Sequence, residues 1–258
     1  MKTANIEVTY INHCGDDLSV VNAARVSFHK ESKWEQEELV YVDEHGSYID
    51  EINLLSLQDT KLIKYLAKHK HFSPFNHAFL TFRVKAPIFV ARQLVKHKFM
   101  PWNEVSRRYV DDEPEFYFPD YWRTKADNVK QGSSNNVFAG EFDFITTDFD
   151  EDDEPYVKSL TTVEDITEDI VHQCLSTYSA MIAAGICAEQ ARMILPQNTM
   201  TEWIWSGTLG AYCDMLRLRL DPHTQYESRL VAELIYEQVK QLFPVSVGAL
   251  LEREVSPT

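Results

Sequence analysis

Residues Ala78 to Val84, AFLTFRV, carry apolar side chains at every second position. That period of two belongs to a strand with one buried face, and the aromatic and β-branched content agrees. Pro87 follows at once and suits the first position of a helix over Ile88 to Lys98. Whatever the chain folds into must therefore bury one side of this strand and leave it directly through a helix. That helix would end on Lys96, His97 and Lys98.

The rest of the chain supplies partners for this unit. Ile6, Val8 and Tyr10 alternate with Glu7 and Thr9, which predicts a first strand. Leu62, Ile63 and Leu66 lie at helical spacing after Asp59-Thr60, which can cap a helix there. Helical periodicity is expected from near Asp165 through Ile194, with Leu195-Pro196 as a stop. A further helix is expected from about Thr201 to Leu220. Asp221-Pro222 reads as the start of a last helix with Tyr226, Leu230, Leu234 and Val239 on its apolar face. The order is mixed α and β, helix-rich after Ser159. Between about Asp111 and Asp169, EPEFYFPDYW, KQGSSNN and DFDEDDEP form an excursion with a solvated acidic loop.

Lys+Arg 25 against Asp+Glu 40 gives a formal net charge of -15. Phosphates would be repelled over most of such a surface, which argues against a nucleic-acid binder or a membrane-surface protein. A small anionic ligand remains compatible if the few cations converge. The segment from Glu141 to Ile170 holds twelve acids and one Lys, so it carries -11 of the net charge and leaves only -4 for the rest. Met1 to Tyr10 lacks the build of a signal peptide, and no apolar stretch is long enough to span a bilayer. Cys14, Cys174, Cys187 and Cys213 are scattered, which predicts reduced thiols and a cytoplasmic protein.

Three constellations could carry chemistry. Lys96, His97, Lys98, Asn103, Glu104, Ser106, Arg107, Arg108 and Tyr109 would form a local anion site, or a solvated basic helix end that complements the helix dipole. His69, His71, Ser73 and His77 precede the strand; their spacings are not those of a metal site, and no metal is expected. Histidines that hold a flat ligand or a phosphate, or that line a turn, fit better. Arg192 lies among CAEQARMIL, where an arginine needs an acidic partner such as Glu189 or an anionic ligand. It joins Arg217, Arg219, Asp221, His223 and Gln225. Arg217 and Arg219 are two apart, so on a helix they point to different faces. G-x-S-x-G, P-loop and G-x-G-x-x-G motifs are absent from the sequence, and no cysteine follows a proline.

Together these residues resemble the flavin-dependent thymidylate synthase family. Its motif is R-H-R, seven residues, then Ser, continuing as N-E-x-S-x-R-Y. Lys96-His97-Lys98 takes the R-H-R place, Ser106 falls after seven residues, and Asn103-Glu104, Arg108 and Tyr109 match. The lysines keep the charge but not the bidentate fork. HKHFSPFNHAFLTFRVKAPIFVARQ, NAARVSF, EQARMILPQ, TEWIWSG and LRLDPHTQYE match other blocks in order. Pro101, Asn76 and Asp214 depart from common family residues.

The resemblance implies an α+β fold: a single domain over 1–258 with a central, mostly antiparallel sheet flanked by helices and a helix-rich C-terminal half. An acidic, mobile insertion is expected at about 125–158. It also implies a homotetramer with active sites where subunits meet, and conversion of dUMP to dTMP. FAD is the cofactor there, with NADPH and methylenetetrahydrofolate as co-substrates. Carried over by position, His71, Ser73, Lys96, His97, Lys98, Glu104 and Asp214 are expected at the cofactor. Gln93, Lys96, Glu104, Ser106, Arg107, Arg108, Arg192 and Arg219 are expected around dUMP. Arg219 would stabilise a deprotonated uracil, and Ser106 is a substrate-binding hydroxyl and candidate nucleophile. Alternatives are a related C5 hydroxymethyl transfer, a dCMP substrate, or a non-catalytic nucleotide-binding scaffold.

Overall fold

The computed structural model describes residues 1–43, 46–110, 112–127, 133–140, 142–144 and 158–251. Its centre is a sheet of four strands, β1 (Glu7–Cys14), β2 (Phe79–Pro87), β3 (Trp102–Glu104) and β4 (Met200–Thr208), in the order β1-β2-β4-β3. All three pairings are antiparallel. The alternation in β2 is realised as expected: Leu80, Phe82, Val84 and Ala86 are fully buried, while Phe79 and Arg83 on the other face are exposed.

β4 corrects an expectation. The stretch from Thr201 was read as the start of a helix, yet MTEWIWSGT is a strand and the helix begins only at Leu209. Register explains the outcome: Trp203 sits opposite Val84, Trp205 opposite Phe82 and Gly207 opposite Leu80, so both indoles enter the face that β2 has already made apolar. Trp203 and Trp205 are 1% and 0% exposed, and burial of this size stabilises by roughly 2–3 kcal/mol each. Period two from the tryptophans outweighed helical periodicity further on.

Eight helices surround the sheet among the described residues: α1 (Asp17–Arg25), α2 (Leu57–Lys68), α3 (Ile88–Leu94), α4 (Val163–Ala183), α5 (Ala188–Ala191), α6 (Leu209–Arg219), α7 (Tyr226–Leu242) and α8 (Pro244–Leu251). α3, α6 and α7 pack against the sheet, and α8 packs on α1, α2, α6 and α7. The other face carries the Thr81–Ser206 hydroxyl pair at 3.2 Å and the Arg83–Glu202 ion pair at 3.6 Å. An antiparallel sheet tolerates such a polar side. The fold is thus α+β with a central antiparallel sheet.

Several expected boundaries shift for local reasons. α2 is capped by Ser56, whose Oγ accepts from the Asp59 N–H, and not by Asp59 or Thr60. Pro87 is the last strand residue, and α3 stops at Leu94, so Lys96, His97 and Lys98 lie in the turn after the helix. The periodicity from Asp165 to Ile194 is interrupted at Gly185, whose φ of 86° suits glycine and ends α4. α7 begins at Tyr226; Asp221 instead accepts from the His223 N–H at 2.8 Å in the turn before it. Its buried residues include Val231, Ala232, Ile235 and Val239, whereas Leu234 is 40% exposed. α8 then follows, its first turn held by Asp17, which accepts from the N–H groups of Val245 and Ser246 at 2.8 and 2.9 Å.

The excursion is anchored where it starts. Phe116 is fully buried, and the Tyr117 N–H donates to the Asn198 carbonyl at 2.9 Å. Short strands Arg123–Lys125 and Ser133–Val137 pair, as do Phe142–Phe144 and Lys158–Thr161. The acidic run of the insertion, residues 145–157, lies outside the described residues. All four cysteines are free. Among the described residues no helix is long and apolar enough to cross a membrane.

Candidate active site

Residues at or just beyond the C-terminal ends of α3 and α6 meet. Arg219, in the last turn of α6, donates from Nε to Nε2 of His97 at 3.0 Å and from Nη2 to the Gln93 carbonyl at 2.9 Å. The carbonyl is one that the end of a helix leaves unsatisfied, so the guanidinium also caps α3. Because His97 Nε2 accepts, the ring is neutral with its proton on Nδ1. Burial and then the Arg219 charge depress His97 to about 4. Burial also lowers Arg219 from its ordinary value.

Arg219 and Gln93 line a cavity of about 490 Å³ with Arg123, Ser133, Leu218, His223, Thr224 and Gln225. Gln93 Nε2 donates to Gln225 Oε1, and Gln225 Nε2 donates to Glu227 Oε2 at 3.0 Å. Glu227 Oε1 accepts from Arg123 Nη2 at 2.7 Å, with Glu227 only 5% exposed. Arg123 also donates to Ser133 at 2.8 Å and lies over the Tyr226 ring. Two guanidiniums and two carboxamides on the walls suit a small, planar, polar anion. Arg217, by contrast, turns to Asp214 at 2.7 Å and the Leu250 carbonyl at 2.7 Å. The expectation that Arg217 and Arg219 serve different faces holds.

A second cleft, about 790 Å³, lies between α1, α2 and the turn before β2. His71 and Ser73 line it with Arg25, Lys30, Phe28, Tyr65 and Phe72. Arg25 is held by Asp59, which also accepts from Ser32 Oγ at 2.9 Å and Ser56 Oγ at 2.8 Å. Aromatic faces beside two cations are the donor set that a flat ring system with phosphates requires, so these residues fit a flavin nucleotide. Among the described residues no group of three His, Cys, Asp or Glu is placed to hold a metal.

The other predicted residues line neither cavity. Lys96 and Lys98 are exposed in the turn after α3. Glu104, on the edge strand, accepts from Trp102 Nε1 at 3.0 Å and Thr201 Oγ1 at 2.7 Å. Ser106 Oγ accepts from Arg108 Nε at 3.3 Å, and Arg107 turns to Asp112 at 3.0 Å. Arg192 is exposed and bonds the Glu189 backbone carbonyl at 3.3 Å, not its carboxylate. Within one chain the predicted set therefore divides among a cavity, a cleft and a polar surface. Arg123, Ser133 and Glu227 were missed. Glu227 closes the LRLDPHTQYE block and Arg123 directly follows the aromatic run EPEFYFPDYW, but nothing local marks the two as partners.

Comparison with known proteins agrees with the geometry. The family described as "Thymidylate synthase complementing protein" matches residues 9–245. A flavin-dependent thymidylate synthase of Thermus thermophilus is 34% identical over 245 residues, 95% of this chain and 75% of that protein. One from Ehrlichia ruminantium is 33% identical over 247 residues, 95% of this chain and 70% of that protein. Among solved structures, the UMP/dUMP methylase PolB from Streptomyces cacaoi, bound with 5-Br dUMP, superposes with a TM-score of 0.71. It is 27% identical and covers 96% of each chain.

Proposed function

The chain belongs to the flavin-dependent thymidylate synthase family, and from that premise we propose that it methylates dUMP to dTMP, with Arg219 as the residue that activates the pyrimidine. The observation that carries this reading is the Arg219 guanidinium, fixed by His97 and Gln93 on the wall of the 490 Å³ cavity. A cation already oriented before substrate arrives needs no reorganisation as negative charge develops on the uracil ring. His97, neutral at physiological pH, accepts from Arg219 without competing for the substrate's charge. Gln93 and Gln225 supply directional hydrogen bonds to a pyrimidine nucleotide.

FAD, held by His71 and Ser73 with Arg25 and Lys30, supplies the reducing equivalents when bound. NADPH and methylenetetrahydrofolate are the co-substrates, as reductant and one-carbon donor. Lys96, Lys98, Glu104 and Asp214 complete the cofactor contacts. Ser106, Arg107, Arg108 and Arg192 bind the nucleotide, with Ser106 as a hydrogen-bonding hydroxyl that accepts from the N–H and Nε of Arg108. These residues line neither the 490 Å³ cavity nor the 790 Å³ cleft of a single chain, which favours a homotetramer whose sites join residues of neighbouring subunits. The protein works in the cytoplasm, where its free thiols stay reduced.

The test is release of tritium from C5 of labelled dUMP by purified protein given FAD, NADPH and methylenetetrahydrofolate. Release that requires all of these supports the reading. A protein that binds no flavin and releases no tritium is instead a nucleotide-binding scaffold.

A further inference from the structure

We propose that Glu227 is a positioning residue of the nucleotide cavity: through Gln225 it fixes which end of the Gln93 carboxamide is offered to a ligand. The proposal rests on the reading of that cavity as the dUMP site. Glu227 does not line this cavity but an adjoining one of about 250 Å³, which shares Arg123, Ser133 and Gln225 with it. Glu227 acts through the order of donors and acceptors.

A carboxylate only accepts hydrogen bonds, whereas a carboxamide has one donating and one accepting end. Glu227 Oε1 is taken by Arg123 Nη2–H at 2.7 Å and Oε2 by Gln225 Nε2–H at 3.0 Å. The nitrogen of Gln225 is thereby committed to Glu227, and its oxygen must face Gln93. Only the nitrogen of Gln93 can meet that oxygen, as observed. The Oε1 atom of Gln93 is left as the side chain's one acceptor. Direction thus passes outward from Glu227 through two amides without a choice at either link.

Gln93 is fixed from its other side as well, because its backbone carbonyl accepts from Arg219. The relay from Arg123 and Glu227 therefore ends on the residue that also seats the guanidinium of Arg219. An amide at position 227 has one accepting end, which Arg123 would take, so its nitrogen would face Gln225 and both carboxamides in the row would turn over. The variant would offer a donor where the parent offers the ligand an acceptor.

The experiment is a double-mutant cycle on the flavin-loaded protein, reading the dissociation constant of dUMP and kcat/KM for dUMP-dependent tritium release. Glu227→Gln should weaken both by about tenfold, mainly through KM, with flavin content unchanged. Because Arg123 itself lines the cavity, the pair Arg123→Gln with Glu227→Gln, which leaves no buried charge unpaired, is compared with Arg123→Gln alone and should bind dUMP more weakly than it, even if the single Glu227 variant folds poorly. In a Gln93→Leu background, Glu227→Gln should add less than about twofold, since the relay then has no end to act on. A merely structural ion pair predicts additive losses in that background, and additivity would overturn the proposal. So would unchanged dUMP affinity in both Glu227 variants. A parent protein that fails to bind dUMP overturns the nucleotide reading together with this proposal, whereas tight parent binding with additive losses overturns the relay alone.

Discussion

Arg219 donates from Nε to Nε2 of His97 at 3.0 Å, so a cation and an imidazole share one hydrogen bond with only one positive charge between them. Burial and the nearby guanidinium keep His97 neutral down to about pH 4. The His of the K-H-K segment therefore serves as an acceptor that aims Arg219.

This arrangement predicts a pH signature. The unfolded ring binds a proton below its ordinary value of 6.5, while the folded ring resists until about 4. The unfolded state thus holds more protons in that window, and stability should fall as pH drops from 6.5 to 4. Thermal melts across this range should show less of that slope in His97→Gln than in the parent. NMR should find the His97 ring unprotonated at pH 6.

Replacement of Arg219 by lysine keeps the charge but loses the fork that binds His97 and Gln93 at once. We expect a hundredfold or larger fall in kcat, in line with loss of one preorganised donor at a developing charge, on the order of 10²–10³. Steady-state tritium release from dUMP measures it, with melting temperature as the control for folding.

Asp59 is 2% exposed and gathers Arg25, Ser32 and Ser56. Burial alone would raise its carboxyl, but the hydrogen bonds from these three hold it below its ordinary value. Asp59→Ala should cost about 3 kcal/mol in urea unfolding at neutral pH, because Arg25 loses its partner. The parent's advantage should fade as pH falls below 3.8, where the unfolded carboxyl protonates first.

Cys213 is fully buried on α6, and burial pushes its thiol up to about 12. It should resist alkylation at pH 8 in the folded protein and react on denaturation. Peptide mass mapping after iodoacetamide treatment reads this directly; modification of native Cys213 would show that α6 opens.

Much of this was legible in the sequence because it rests on local periodicity. Leu80, Phe82 and Val84 announce β2, and Arg217 with Arg219 separate onto two faces as their spacing requires. β4 carries a period-two signal in Trp203 and Trp205 that the helical periodicity after it masks, and register with a segment more than a hundred residues away decides which face the indoles enter. The end of α3 at Leu94 is likewise tertiary: Arg219 takes the Gln93 carbonyl. In the candidate site, the family blocks pointed to His97 and Arg219, although His97 was expected at the cofactor and the structure pairs it with Arg219. Arg123 and Glu227 were not found, because their pairing spans 104 positions and no local pattern encodes it.

The most direct test of the account is the identity of the nucleotide formed from dUMP with FAD, NADPH and methylenetetrahydrofolate, determined by mass spectrometry for the parent and for Arg219→Ala. The account predicts dTMP from the parent and none above background from the variant. A hydroxymethyl product, no product from the parent, or equal dTMP from both proteins would contradict it.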